Sequence, residues 1–410
     1  MAAPPHDHGG RLRVLRTEHV TPSSTGDDAD ALSERALPLK PVEPVERLFL
    51  YRLAPGAAVH GVLSHLADSL SRALRAFYPL AGRIRLAPGK TDRYELFYQP
   101  GDAVAFTVAE HDGAGVDELA TDDPREVATI APLVPALPRG GAVLAVQATV
   151  LLGLRPAAPR VLALGVTVHH AACDGASSTH FLHTWAASAC AAAGKSAEHQ
   201  GRRSPARRNA AASSRRLGAR PSSRRTASCG LCHLRATHGH NNDGGHDDGG
   251  GRAYFLFVTD HRRRMEGRVP SRYFGNCVGP CYASMPRKAA ATATVTDGVF
   301  TACSAVVGAI DEAVHGETGY WERYPERIVE ARRDGAPFSV AGSPRFRVYD
   351  VDFGFGTPAK VEIASVAKTG AMSVAEGRGG SGGIEVGIAL PPEHMGRFRT
   401  YLADVIAGVI

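Results

Sequence analysis

Apolar residues along this chain recur with two periods, one of two residues and one near 3.6. Their alternation predicts a mixed α/β protein. "RVLRTEHV" and "VERLFLYRL" read as strands. From Val59, the positions Val59, Val62, Leu63, Leu66, Leu70, Leu74 and Phe77 predict a helix that ends at Pro79 and Gly82. "RYELFYQ" and "AVAFTVAEHD" read as strands around a turn at Pro100 and Gly101. The stretch "VLALGVTVHHAACDGASSTHFLHTWA", which starts at Val161, opens with an unbroken apolar run, as a buried strand does, and meets two histidines. A helix is expected just after Asp174, with Phe181, Leu182, Trp185 and Ala189 on one face.

Between about Lys195 and Arg252 the periodicity stops. Nine arginines sit among Ser, Ala and Pro over residues 202–225, followed by "HGHNNDGGHDDGGG". So little apolar side chain cannot offset the entropy of ordering, so residues 196–252 are expected to be disordered. Pattern then returns with "AYFLFVTDHRRR" and "SRYFGNCVGPCYASM", and with a helix through Val299, Phe300, Cys303, Val306, Val307 and Ile310. Strand-like runs flank a Gly-rich turn in "RFRVYDVDFGFGTPAKVEIAS". Ile384, Val386, Ile388 and Leu390 alternate as a strand, and Met395, Phe398, Leu402, Val405 and Ile406 mark a last helix. There is no internal repeat.

Composition narrows the class. A chain of 410 residues with 44% hydrophobic and 21% charged positions suits two globular domains. No apolar run approaches the roughly 20 residues that span a bilayer, and "MAAPPHDHGG" lacks signal-peptide character, so no membrane is expected and the cytosol is the expected compartment. Seven cysteines without framework spacing fit free thiols in a reducing compartment. The net charge of +6 would imply an anionic partner only if the basic residues covered a folded face, and they are concentrated in the irregular segment.

The chemistry-bearing stretch is His169, His170 and Asp174. A neutral imidazole has a pKa of about 6.5 and accepts a proton readily at physiological pH. At the end of a buried strand it is held rigidly, and an aspartate four residues beyond His170 can fix the turn. The same residues also fit a sheet-end pair satisfied by backbone carbonyls. A metal site is disfavoured, because a strand does not aim adjacent side chains at one point.

Three ordered motifs carry a resemblance. "HHAACDG" with "SSTHFLHTWA", "YFGNCVGPC" from Tyr273 to Cys281, and "DFGFG" from Asp352 to Gly356 together resemble the plant BAHD acyltransferases, with their HxxxD and DFGWG motifs. "FYPLAGRIR", "DHRRR" and "GGIEVGIALPPEHM" agree, and the likeness covers most of residues 11–195 and 253–410. It implies an α/β fold of two chloramphenicol-acetyltransferase-like domains with a channel between them. The N-terminal domain, 1–195, would carry HxxxD. The C-terminal domain, 253–410, would carry YFGNC and DFGFG and is expected to be incomplete. The resemblance further implies acyl-CoA as co-substrate with no permanently bound cofactor, a monomer, and His170 as the general base that deprotonates the acceptor. Asp174, Gly175, Asp352, Gly354 and Gly356 would be structural, with the two glycines of DFGFG allowing a close turn. Phe355 stands where the family has Trp; if that indole donates to a developing oxyanion, Phe355 at this channel position cannot. Arg262 and Arg264, with Asp260 in D-x-R-x-R, would be structural ion-pair residues or lie near the donor. YFGNC points to the clade acylating phenolic and anthocyanin glycosides with malonyl-CoA or aromatic acyl-CoAs.

Two segments depart from the resemblance. Residues 196–252 stand where the family has a crossover and the first elements of its second core, so a helix and a strand are expected to be missing. "LPLKPVEPVERL" is likewise short by a strand-forming piece. "CGLCH" at Cys229–His233 matches a haem-attachment pattern, but chance composition accounts for it in a chain without an export signal. The arginine run supports a second class of function, nonspecific polyanion binding. It has no interleaved aromatics, so no specific nucleic acid partner is expected. A third class is an inactive relative.

Overall fold

The computed structural model describes residues 11–23, 38–39, 43–112, 115–152, 160–192, 221–238, 251–262, 269, 273–287, 294–315, 323–333, 337–380 and 382–409. The strands, in chain order, begin with β1 (Leu12–Val20), β2 (Pro38–Leu39), β3 (Val45–Arg52), β4 (Arg83–Leu86), β5 (Tyr94–Phe97), β6 (Val104–His111), β7 (Leu144–Leu151) and β8 (Val161–Val168). They continue with β9 (Arg252–Asp260), β10 (Val278–Pro286), β11 (Phe338–Gly342), β12 (Lys360–Ile363), β13 (Met372–Glu376) and β14 (Ile384–Ile388). The longer helices are α1 (Val59–Ala76), α2 (Gly175–Ala192), α3 (Pro221–His238), α4 (Val295–His315), α5 (Tyr324–Arg333) and α6 (Pro392–Val409). No helix among the described residues is long and apolar enough to cross a membrane.

The chain divides into two compact units. In the first, six strands form a sheet in the order β1-β6-β7-β8-β3-β12, and β2, β5 and β4 form a smaller one. All eight residues of β7 and all eight of β8 are buried, so both sheet faces are covered there and the apolar runs need no alternation. The α1 helix buries Leu63, Leu66, Leu70, Ala73 and Leu74 on one stripe and packs against α2. Trp185 of α2 fills this contact fully buried; its indole N–H donates to Leu66 O at 3.2 Å and Ser69 Oγ at 3.0 Å, so the large ring brings no unsatisfied donor into the core.

Residues 346–365 and 274–276 belong to this first unit. The strand β12 pairs antiparallel with β3, from Lys360 opposite Leu50 to Ile363 opposite Arg47. Tyr51 Oη donates to Val351 O at 2.9 Å, and Glu46 N–H donates to Ser365 Oγ at 3.3 Å. A C-terminal domain drawn as an unbroken 253–410 is thereby corrected: residues 346–365 belong to the first unit, and β12, which follows DFGFG, closes the free edge of β3.

The second unit is a five-stranded sheet, β10-β9-β11-β13-β14, with β11 parallel to both β9 and β13. Helices α3, α4 and α6 pack on one another, and their buried residues share a core with those of the sheet. The expectation of disorder over 196–252 is corrected for residues 221–238, which form α3 and supply a helix to a half that the sequence reading took to lack one. The remaining 196–220 and 239–250 lie outside the described residues. The reason is packing by small side chains. Ala227, Leu231, Cys232 and Ala236 are each no more than 2% exposed and recur at i, i+4, i+5 and i+9, a stripe hidden in a composition dominated by Arg and Ser. The α4 helix approaches closely: a Cβ on Gly298 would meet Leu231 Cδ2 at 2.9 Å and the Arg235 guanidinium at 2.8 Å. Cys229 and Cys232 of "CGLCH" face this core rather than solvent, and burial pushes their thiols up to about 11 and about 12, which keeps them protonated and unreactive.

Packing of α3 predicts that Leu231→Ala costs about 2–5 kcal/mol. Urea unfolding of the full chain should shift to a lower midpoint for this variant; an unchanged midpoint would return the segment to the disordered class.

Candidate active site

The strand β8 delivers the two histidines, and the turn after it is held by short local bonds. His169 N–H donates to Val143 O at 2.8 Å, Ala171 N–H donates to His169 Nδ1 at 3.2 Å, and Ala172 N–H donates to His169 O at 3.0 Å. A ring nitrogen that accepts must be unprotonated, so the His169 proton sits on Nε2 and the ring is neutral. Burial, and after it the neighbouring His170, lowers the His169 pKa below 6.5, in agreement with that tautomer. His169 is thus a loop-forming residue. The ring of His170 is half-buried and makes no hydrogen bond among the described residues.

Asp174 caps α2. Its Oδ1 accepts the N–H of Ser177 at 2.9 Å and its carbonyl accepts the N–H of Ser178 at 2.9 Å, with the residue 1% exposed. A buried carboxylate at a helix N-terminus satisfies an orphan donor and meets the positive end of the helix dipole. Gly175 is needed for space: a Cβ there would lie 2.7 Å from the Phe346 ring. Beside the cap, the fully buried Arg47 donates to Thr179 Oγ1 at 3.0 Å and lies over Phe346 with its guanidinium carbon 6.0 Å from the ring centroid. Burial lowers its pKa to about 10, which leaves it charged at neutral pH.

The tripeptide Phe274–Asn276 lies against this turn. Gly275, at a φ of 146°, exchanges two bonds with one hydroxyl: Ser177 Oγ donates to Gly275 O at 3.0 Å and accepts from Gly275 N–H at 3.2 Å. Asn276 Nδ2 donates to His170 O at 3.0 Å and to Ala171 O at 2.9 Å. The ring of Phe274 packs edge-on against Phe77 at 5.3 Å. In the sequence YFGNC carries only a resemblance, and nothing local marks Ser177, Gly275, Asn276 or Arg47 as neighbours of the turn. A pairing of segments 106 residues apart leaves no local signal.

The DFGFG turn is built on Asp352, whose Oδ1 accepts the N–H groups of Gly354 at 2.7 Å and Gly356 at 2.9 Å. Both glycines have positive φ, 96° and 110°, which an L side chain resists. The half-buried Phe355 packs edge-on against Tyr51 at 5.0 Å and beside Phe353 at 6.0 Å, within a cluster that extends to Trp185. No hydrogen bond or ring contact joins Phe355 to His170 among the described residues. In the second unit, Arg262 pairs with Asp260 at 3.3 Å and lies over Tyr273, its guanidinium carbon 5.9 Å from the ring centroid. Arg264 lies outside the described residues. No cluster of metal-ligating side chains occurs among the described residues.

Comparison with known proteins gives one consistent picture. A model of the Transferase family matches residues 11–213 and 232–404. Among curated proteins, malonyl-CoA:anthocyanidin 5-O-glucoside-6''-O-malonyltransferase of Arabidopsis thaliana is 28% identical over 443 aligned positions, covering 94% of this chain and 96% of the relative. Phenolic glucoside malonyltransferase 1 of the same plant is 27% identical, with 94% and 95% covered. The crystal structure of vinorine synthase superposes with a TM-score of 0.67 at 18% identity, covering 96% of this chain and 98% of that one. The 443 aligned positions exceed the 410 residues here, so this relative carries segments that the chain lacks.

Two predictions follow from the turn. Replacing Asp174 with Ala should cost about 0.5–2 kcal/mol, the range for a lost N-cap, read as a lower midpoint in denaturant. For His169, the folded-state pKa lies below its unfolded value, so the unfolded chain binds the extra proton more readily. Stability is full above about pH 6.5 and falls as pH drops through that value. Melting temperatures measured between about pH 8 and about pH 5 should fall less steeply for His169→Asn, whose Oδ1 can replace Nδ1 as acceptor without titrating; equal slopes would remove His169 as the origin.

Proposed function

Because the chain belongs to the Transferase family, the BAHD acyltransferases, which take an acyl group from acyl-coenzyme A, we propose that it moves a malonyl group from malonyl-CoA to a sugar hydroxyl of a phenolic or anthocyanin glycoside. The observation that carries the chemistry is the state of His170. Its backbone is fixed by its neighbours while its ring is half-buried and unengaged among the described residues, which supports a general base. The imidazole takes the proton of the acceptor hydroxyl as the oxygen attacks the thioester carbonyl carbon. The tetrahedral intermediate collapses with cleavage of the C–S bond, and the departing thiolate recovers the proton from the imidazolium. No covalent acyl-enzyme is required, and no step calls for a metal.

Neighbouring residues have supporting roles in this reading. His169, neutral and bonded at Nδ1, leaves the base role to His170. Asp174 holds the turn through the helix cap, and Asp352 holds its own turn through two glycine amides, so neither carboxylate is assigned a proton transfer. Phe355 offers no donor, and oxyanion stabilisation falls to other groups. Arg262 is assigned a structural role, supported by its pairing with Asp260. The malonyl donor is preferred because the 27–28% relatives are malonyltransferases, while the p-coumaroyl-transferring relatives are 23% identical.

Thiol release from malonyl-CoA and from p-coumaroyl-CoA should be followed with a panel of phenolic glucosides. Malonyl transfer is the expected activity, and His170→Ala should lower kcat by about 10² to 10⁴, the usual contribution of a general base, with an unchanged far-ultraviolet spectrum. Undiminished turnover in His170→Ala would remove the base assignment. Soluble, folded protein without turnover on any pair would favour an inactive relative.

A further inference from the structure

The amide of Asn276 is placed where it can act on His170 without touching substrate. Its two N–H bonds go to consecutive carbonyls, those of His170 at 3.0 Å and Ala171 at 2.9 Å. Two carbonyl acceptors admit only one orientation of the amide, with nitrogen toward the turn. Each carbonyl belongs to a peptide plane that starts at the residue it names, so the pair fixes the planes on either side of Ala171. The preceding plane, between His169 and His170, is held through His169 O, which accepts the N–H of Ala172 at 3.0 Å. With the planes before and after it fixed, the direction of the Cα–Cβ bond of His170 is set, although its ring makes no hydrogen bond among the described residues. The tripeptide is itself anchored one residue earlier by the two bonds between Gly275 and Ser177, in the first turn of the helix that Asp174 caps.

We propose that Asn276 is a positioning residue for acyl transfer: by clamping the two carbonyls that begin at His170, it fixes the direction from which the imidazole meets the acceptor hydroxyl. This rests on the reading of His170 as the base. The arrangement answers a physical need. A general base needs one ring nitrogen free to accept the proton, and since the ring of His170 makes no hydrogen bond at either nitrogen among the described residues, its orientation comes from the main chain. Misplacement of a reacting group by about 1 Å costs up to about 10²-fold in rate.

The test is a double-mutant cycle on the full chain with malonyl-CoA and the best glucoside. In the wild-type background, Asn276→Ala should lower kcat about 10- to 100-fold with KM for malonyl-CoA within about twofold. In the His170→Ala background the same change should have no further effect, because a residue that acts through another loses its role when that residue is gone. Equal losses in both backgrounds would overturn the proposal. The single His170→Ala arm reports on the base assignment separately. A second readout does not depend on turnover: amide hydrogen exchange over residues 169–175 should rise at least about tenfold in Asn276→Ala, while exchange in α1 stays as in the parent. Unaltered exchange at the turn would also overturn the proposal. Asn276→Asp supplies the sign by pH. Its carboxylate faces two carbonyl oxygens, and protonation restores one donor, so its activity relative to the parent should rise as pH falls; a flat ratio would count against the clamp.

Discussion

The structure around the candidate base depends on one carboxylate: Asp174, buried at the N-terminus of α2. The helix start is fixed because that carboxylate supplies the missing acceptor for the Ser177 amide. Once the start is fixed, Ser177 stands where its hydroxyl can bond both backbone groups of Gly275. Once Gly275 is fixed, the next residue reaches back to the carbonyls at His170. A chain of short polar contacts thus runs from a helix cap to the end of a strand; the links at Asp174, Ser177 and Gly275 are buried, so loss of one partner there leaves the other unsatisfied, while Asn276 at the end of the chain is exposed.

The two ends of this chain rest on different kinds of packing. Behind His169 and His170 lies β8, with no exposed residue, paired on both edges and covered on both faces, so its end cannot drift. Behind Asp174 lies α2, locked against α1 by Trp185 and carried towards the DFGFG segment by ring contacts through Phe353. Cys190 at the far end of α2 donates to Asp352 O at 3.3 Å, so the same helix that begins at one motif touches the other. The two motifs are coupled through a rigid element, which explains why Asp352 can matter to the fold without meeting His170.

Regular elements were legible where one physical signal dominated. The apolar stripe of α1, the continuous run of β8 and the start of α2 after Asp174 all lie where periodicity and capping chemistry put them. The role of Asp174 was legible as a local turn device, because capping acts over three residues. The clamp by Asn276 was not, since it needs two segments 106 residues apart to meet, and the placement of β12 beside β3 failed for the same reason. The helix over 221–238 was hidden by composition. Disorder was inferred from the summed scarcity of apolar side chains, but burial is decided by a stripe, and Ala, Cys and one Leu at helical spacing suffice when the facing helix presents a glycine.

That last point bears on how an irregular segment can complete a core. A helix lined by Ala227, Leu231, Cys232 and Ala236 buries less area per residue than one lined by Leu and Phe, at about 25 cal/mol for each Å² removed from water. It compensates by close approach, since small side chains and Gly298 let two backbones come near and multiply dispersion contacts. Arg235 is the residue that makes this workable: 7% exposed, it donates from its guanidinium to Thr294 O, so its stem packs in the core while its head reaches the carbonyl just before α4. The second unit therefore keeps a packed layer of helices over its sheet despite a segment that composition alone would leave unfolded, and this is why the chain retains the fold shared with vinorine synthase while being shorter than its glucoside-acylating relatives.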